Sequence, residues 1–153
     1  MTTIFTKPHG QTPAYPDDLR SAVGERRLIE LALEAVQLVG EELPRPVRAL
    51  QDQPSPKMLL TLLTYCYASG ILGSDDIEWV CGDDAAARYI CANTVPGQDT
   101  IRRFRRANRP WVEACLLWVY GKACLADETS TELAGFVRQK LELAVLMDTA
   151  ACE

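Results

Sequence analysis

The order of apolar and polar positions along this chain is that of a helical protein. A first helix is expected to begin near Asp17 or Asp18. Its best part, residues 25–39, places apolar side chains at i, i+3 and i+4 spacing, and Gly40 marks its end. Residues 56–69 are almost wholly apolar, with Ser55 as an N-cap and Pro56 at the first helical position. A helix with so little polar surface is expected at the centre of the fold. Strand-like alternation of apolar and polar residues is absent from the sequence.

The remaining helices are marked by their caps and breaks. They are one capped by Ser74, one from Asp83 or Asp84 to Cys91, one from Asp99 to Asn108, one from Trp111 to Leu125, and one that opens at a capping box over residues 129–132 and runs to Ala151. The sequence therefore predicts an all-α fold, a compact bundle of six to seven helices. Residues 17–153 form one domain, and the proline-rich residues 1–16 form a flexible N-terminal arm. A loop over residues 92–98 makes a helix-turn-helix-like segment with a longer turn than the compact motif has.

Length and composition restrict the function classes. The chain has 153 residues, which fits one domain, and no apolar run approaches the roughly 18 residues of a membrane span. The N-terminus lacks the basic and apolar regions of a signal peptide, so a cytoplasmic protein is expected. The six cysteines form no CxxC pair, and the single histidine, His9, lies in the arm. We therefore expect no metal site and no cofactor, and mostly buried, reduced thiols.

Positive charge is concentrated in one segment of the chain. The net charge is −5, yet five arginines and one acid, Asp99, lie between Gln98 and Val112. At about 100° per residue, the arginines share an arc of about 160°, opposite Ile101 and Phe104. Arginine forks match phosphate oxygens and the edge of guanine, and a helix fits the major groove. The pattern indicates a DNA-recognition helix, with these candidate contacts: Thr100, Arg102, Arg103, Arg105, Arg106 and Arg109. The alternative is a solvated face, or arginines paired with the chain's own acids.

Three motifs in order resemble a known family. They are PxxMLLxLLxYxYxxG at Pro56–Gly70, DxAxR at Asp84–Arg88, and TIxxFRR at Thr100–Arg106. Together they resemble the N-terminal domain of insertion-sequence transposases of the InsH type. The resemblance implies recognition of the element's terminal repeats, with Ile101 and Phe104 as packing residues and Arg105 and Arg106 as DNA contacts. This chain departs from the family at Gly97 and Gln98, where an aspartate and a histidine are usual, and in the acidic segment 75–84, which is usually basic.

Transposase catalysis is not expected from this chain. The 44 residues after Arg109 read as two helices, whereas a ribonuclease-H-like catalytic domain needs a central sheet. Asp127, Asp148 and Glu153 are expected to be ordinary surface acids, and a Gly-rich phosphate loop is absent. We predict a non-catalytic module that binds duplex DNA, without a small-molecule substrate, with a homodimer or a separate transposase subunit as further partners.

A second reading stays open beside DNA binding. The chain is then a helical interaction or dimerisation protein, or a transposition regulator that has lost DNA affinity. Its contacts would use the last two helices, including Trp111 and Trp118, although core packing is the simpler role for these tryptophans. A decayed fragment without a present role is the third possibility.

Overall fold

The computed structural model describes residues 15–42, 54–126 and 130–151, and over these the protein is helical and contains no strand. Eight α-helices follow one another: α1 Leu19–Val23, α2 Glu25–Val39, α3 Pro56–Ala68, α4 Ser74–Asp83, α5 Ala85–Ile90, α6 Gln98–Ala107, α7 Arg109–Ala123 and α8 Thr131–Ala151. A 3-10 turn, Gly40–Glu42, extends α2. The predicted all-α bundle is confirmed. Several sequence features lie outside the described residues: His9, Pro44, Pro46, Asp127, Thr129, Cys152, Glu153 and most of the N-terminal arm.

Helix α3 is the centre of the bundle, as its composition predicts. Every residue from Leu59 to Ala68 is buried, and the helix packs against α2, α5, α6 and α7. Ser55 caps it by accepting a hydrogen bond from the Met58 amide at 3.1 Å. Its two buried threonines donate their hydroxyl protons to carbonyl oxygens one turn earlier, so they add no unpaired polar group to the core.

Two helix boundaries differ from those predicted. Gly24, with φ +95°, separates α1 from α2, because this left-handed conformation interrupts a helix and is open to glycine. Helix α6 ends at Ala107, and α7 begins at Arg109, two residues before its predicted start at Trp111. Pro110 has no amide to bond the carbonyl four residues earlier, so α6 ends before it, and Asn108 donates its side-chain amide to the Phe104 carbonyl at 3.0 Å.

Helix α8 packs one stripe of apolar residues on the bundle. Leu133, Val137, Leu141 and Ala144 are fully buried on this stripe, and α8 contacts α7 and α4. Ser130 accepts a hydrogen bond from the Leu133 amide at 3.4 Å and so caps the helix. None of the described helices combines the length and the apolar character of a membrane-spanning segment.

The segment before α1 is held by the last two helices. Tyr120 of α7 donates its hydroxyl proton to the Pro16 carbonyl at 2.6 Å, and Lys140 of α8 donates to the Asp17 carbonyl at 3.0 Å. The Tyr15 ring lies 5.3 Å from the Phe136 ring and 6.4 Å from the Tyr120 ring, centroid to centroid. Tyr15 and Pro16, which the sequence assigns to the flexible arm, therefore pack against the bundle.

The described cysteines are free thiols. Cys66, Cys81, Cys91 and Cys115 are buried, and Cys124 is half-buried. The sulfur atoms of Cys81 and Cys91 lie 3.9 Å apart at the α4–α5 junction. The expectation of reduced, mostly buried cysteines is confirmed for these five residues.

Candidate nucleic-acid interface

Helix α6 carries the arginine cluster and is fixed to the bundle by its apolar face. Ile101 and Phe104 are buried, and the helix contacts α3, α4 and α7. At its start, Gln98 donates to the Glu78 carboxylate of α4 at 3.4 Å. Thr100 is half-buried beside this contact face. The helix is thus fixed to the bundle by this face.

Arg105 does not lie on the exposed arc that the sequence assigned to it. It is buried, with 5% of its surface exposed, and its Nη1 forms an ion pair with Asp148 Oδ2 of α8. The reason is angular: Arg105 comes four residues after Ile101 and so lies only about 40° from it, on the side that faces α8. The expectation that Asp148 is an ordinary surface acid is wrong, since only 4% of its surface is exposed.

Asp148 connects three helices. Its Oδ1 accepts a hydrogen bond from the Ser74 amide, and its Oδ2 accepts one from the Ser74 hydroxyl, both at 2.8 Å. Ser74 was predicted to be the N-cap of α4. It is instead the first helical residue, and the carboxylate that satisfies its amide comes from α8. A negative charge at this end of α4 is favoured by the helix dipole. The same carboxylate holds Arg105 of α6, so α4, α6 and α8 meet at one point.

The charges of this buried cluster are stabilised by their partners. Burial opposes the positive charge of Arg105, but its hydrogen bond to Asp148 raises its pKa above the ordinary value, so the guanidinium stays charged. Tyr67 of α3 is also fully buried, and its hydroxyl has no hydrogen-bond partner among the described residues. Burial raises the pKa of Tyr67 to about 12, against the opposing influence of the Arg105 charge.

The other arginines remain at the surface. Arg102 is engaged within its own helix, by an ion pair with Asp99 and a 3.2 Å hydrogen bond to the Gln98 side chain. Arg103 and Arg106 are exposed and Arg109 is half-buried. Within the described part of the chain, these three guanidinium groups form no ion pair and no side-chain hydrogen bond. They are free to bind an external anion.

A cleft of about 410 Å³ separates α6 from α8. Its lining consists of Arg102, Arg105, Arg106, Arg109, Val145, Asp148 and Thr149. Four of the five predicted arginines therefore converge on one concavity, although Arg109 belongs to a different helix. Arg103 does not line the cleft and faces solvent elsewhere on α6. The arginine cluster thus divides into a group in the cleft and a single residue outside it.

The DxAxR motif lies at the junction of α4 and α5. Asp84 caps α5 by accepting a hydrogen bond from the Ala87 amide at 3.0 Å. Arg20 of α1 lies 3.5 Å from the Asp84 carboxylate and 3.4 Å from the Tyr65 hydroxyl, so the motif also fixes α1. Arg88 is exposed, and none of the described side chains forms an ion pair with it. Ala86, the middle residue of the motif, is buried in the core, so only Arg88 lacks an evident structural role among the described residues.

A signal for the buried cluster is present in the sequence but was not used. Asp148 follows Ala144 by four residues and Leu141 by seven, so it continues the buried stripe of α8. A carboxylate on such a stripe requires a buried partner. The partners of Asp148 could not be predicted from the sequence, because Ser74 and Arg105 are distant from it in the chain.

Comparison with known proteins yields one match. Residues 41–107 match the family model described as "Transposase domain (DUF772)", a range that ends with the last residue of α6. Neither a curated protein nor a solved structure matches the chain. The finer assignment to the InsH type stays a prediction. The matched range covers less than half of the chain, and within it the chain is similar to a transposase domain.

Proposed function

We propose that this chain binds duplex DNA through the exposed arginines of α6 and of the first turn of α7. Three arginines carry the proposal because they have no ion pair or side-chain hydrogen bond within the described part of the chain: Arg103, Arg106 and Arg109. Arg102 joins them at the rim of the cleft, where phosphate competes with Asp99. A transposase domain that ends in this helix supports DNA as the partner.

Three surface arginines elsewhere in this chain are paired with acids, which counts against the solvated-face alternative, although Arg88 is exposed and has no ion pair among the described residues. On α2, Arg26 and Arg27 lie 3.7 and 3.5 Å from the Glu30 carboxylate. On α8, Arg138 lies 3.1 Å from Glu113. Such pairs neutralise surface charge at little cost in stability. Arg103, Arg106 and Arg109 lack this compensation among the described residues although the whole chain is acidic, so their positive field is available to an anionic partner.

The proposed role is binding and not strand cleavage. The two carboxylates nearest the arginines, Asp99 and Asp148, are each held by an arginine. Among the described residues, histidine, cysteine, aspartate and glutamate do not gather into a group suited to a metal ion. The family match favours a transposon-end-like duplex as the target, and DNA as the partner agrees with the cytoplasmic location expected from the sequence.

The salt dependence of binding tests this proposal. Four arginine–phosphate contacts give a slope of about −3.6 in log affinity against log salt, so affinity falls on the order of a hundredfold between 50 and 200 mM salt. Fluorescence anisotropy with a labelled random-sequence duplex measures that slope. The same duplex library, after rounds of selection, identifies a preferred sequence.

Two variants of equal charge make the test specific. Replacement of Arg103, Arg106 and Arg109 with Ala is expected to abolish duplex binding at 50 mM salt. Replacement of Arg26, Arg27 and Arg138 with Ala removes the same charge elsewhere and is expected to leave binding within about twofold. Equal losses of duplex affinity in both variants would show that binding depends only on the net charge of the protein. Absence of binding by the unaltered protein at 50 mM salt would refute DNA binding.

A second candidate function is self-association or binding of a protein partner. The C-terminal half of α8 exposes four apolar side chains: Leu143, Val145, Leu146 and Met147. Trp111 and Trp118 are less suited to the role that the sequence suggested, because both pack partly buried against the core. Sedimentation of the 17.0 kDa chain from 5 to 200 µM distinguishes a monomer from a dimer. Dimers that disappear in Leu146→Lys would favour this function, and a monomer throughout would exclude self-association.

A further inference from the structure

The cleft between α6 and α8 differs from the rest of the cationic surface in being concave and organised. Four arginines line it, against a single carboxylate, that of Asp148, which is already bound to Ser74 and Arg105. An anion in this cleft would meet several guanidinium groups at once. Val145 contributes an apolar wall, which lowers the local dielectric and strengthens each charge interaction.

The position of Arg105 is fixed by the buried cluster. Its Nη1 is bonded to Asp148, and Asp148 is held in turn by both the amide and the hydroxyl of Ser74. The guanidinium therefore stays in place without a ligand, and ligand binding does not have to order it. The neighbouring Tyr67 hydroxyl also acts on this guanidinium and contributes to its raised pKa. Arg105 thus supplies a fixed positive charge at the base of the cleft.

The outer arginines complete a phosphate site. Among the residues that the structure describes, Arg106 and Arg109 have no partner, and Arg102 is held only by residues of the first turn of α6. Guanidinium groups bind phosphate through two parallel N–H donors, with geometry that lysine does not offer. The volume of about 410 Å³ is ample for a phosphate group with bridging waters, since one water occupies about 30 Å³ of liquid.

We propose that this cleft is a phosphate-binding subsite that holds the backbone of one DNA strand, and that Arg103 lies outside it. The inference rests on the proposed DNA binding and deepens it. Arg102, Arg106 and Arg109 bind the phosphate oxygens, whereas Arg105 and Asp148 are positioning residues that maintain the shape and charge of the cleft. Contacts of this kind fix the register of a duplex and are independent of its sequence.

Inorganic pyrophosphate is the probe for the cleft alone. It presents two linked phosphates without bases or a groove, and its binding to the full chain at low ionic strength is measured by calorimetry. Arg106→Ala removes a cleft arginine, and Arg103→Ala is the matched control, because it removes the same charge from the same helix outside the cleft. We expect Arg106→Ala to weaken pyrophosphate binding at least tenfold and Arg103→Ala to change it less than twofold. Near-UV circular dichroism verifies that both variants keep the native fold.

A duplex-binding measurement on the same proteins separates this inference from the proposed function. Pyrophosphate that binds the cleft and displaces a 20-base-pair duplex supports the subsite. Duplex binding without pyrophosphate binding, or equal losses of pyrophosphate affinity in the two variants, overturns the subsite and leaves DNA binding intact. Pyrophosphate binding without duplex binding overturns the strand assignment and makes a free phosphate compound the ligand. In the supporting case, Arg106→Ala also reduces the salt slope for the duplex by about 1.

Discussion

Loss of the Asp148 carboxylate is expected to destabilise the protein severely. Asp148→Ala leaves the buried Arg105 guanidinium without its counter-ion and removes the acceptor of two Ser74 hydrogen bonds. Removal of one partner of a buried ion pair costs about 3–5 kcal/mol, because an uncompensated charge stays in the interior. The cleft lets water approach Arg105, which places the ion-pair loss near 3 kcal/mol, and the two lost hydrogen bonds add about 1 kcal/mol each. The total of about 5 kcal/mol is a large part of the 5–15 kcal/mol by which domains are usually stable.

Urea unfolding followed by circular dichroism measures this effect. With a slope near 2 kcal/mol per molar urea, a loss of about 5 kcal/mol lowers the midpoint by about 2.5 M. A loss below about 1 kcal/mol would refute the assigned role of Asp148. It would show that the carboxylate contributes no more than an exposed ion pair does.

A paired replacement tests whether the charge itself is the cause. Arg105→Met combined with Asp148→Leu replaces both ions with apolar side chains of similar volume, a change that is often neutral or stabilising for buried pairs. We expect this double variant to be more stable than Asp148→Ala by about 2 kcal/mol or more, with the remaining loss due to the unsatisfied Ser74 amide. If the double variant instead loses the sum of both single losses, the two side chains are not coupled.

Three further predictions concern other parts of the fold. Ser55→Ala removes the cap of α3 and should cost about 1 kcal/mol in urea unfolding, whereas Ser55→Asp should retain most of it. Burial lowers the pKa of Lys140, so the unfolded state binds more protons than the native state just below pH 10.5. The stability of the protein relative to Lys140→Met should therefore rise as the pH increases toward 10.5. Urea midpoints of the two proteins that shift equally between pH 8 and 10 would contradict this. Burial raises the pKa of Tyr67 to about 12, so the native state retains a proton that the unfolded state loses above pH 10. Stability should then fall between pH 10 and 12, less so in Tyr67→Phe, and native tyrosinate absorbance with a midpoint at 10 for every tyrosine would contradict the assigned burial.

The helices could be predicted from the sequence because the residues that mark them are close together in the chain. The cap, proline and apolar run of α3 lie within 14 consecutive residues, and a helix with so little polar surface has no stable position except the interior. The division at Gly24 was missed because a glycine inside a periodic segment is compatible with a continuous helix. Helix α1 is also held by the contact of Arg20 with Asp84, which joins distant segments and is not visible in the local pattern.

The arginine cluster was predictable only in part. Helical geometry places the five arginines on one broad arc, but it does not say which edge of the arc meets another helix. The edge of the arc that carries Arg105 faces α8. The carboxylate that binds it there belongs to Asp148, which is 43 residues away in sequence. The local pattern therefore located the cationic helix. Tertiary packing determines that four arginines line a cleft and that one of them, Arg105, is buried.

The contacts that hold the N-terminal segment also have a consequence for the order of folding. The bonds from Tyr120 to Pro16 and from Lys140 to Asp17 span 104 and 123 residues, in a fold class that otherwise closes mostly short loops. During synthesis at about 5–20 residues per second, the partner of Asp17 is made roughly 6–25 s after Asp17 itself. Pro16 and Asp17 therefore cannot form both of these contacts until α8 has emerged from the ribosome. We expect the docking of this N-terminal segment on α7 and α8 to be the last step of folding.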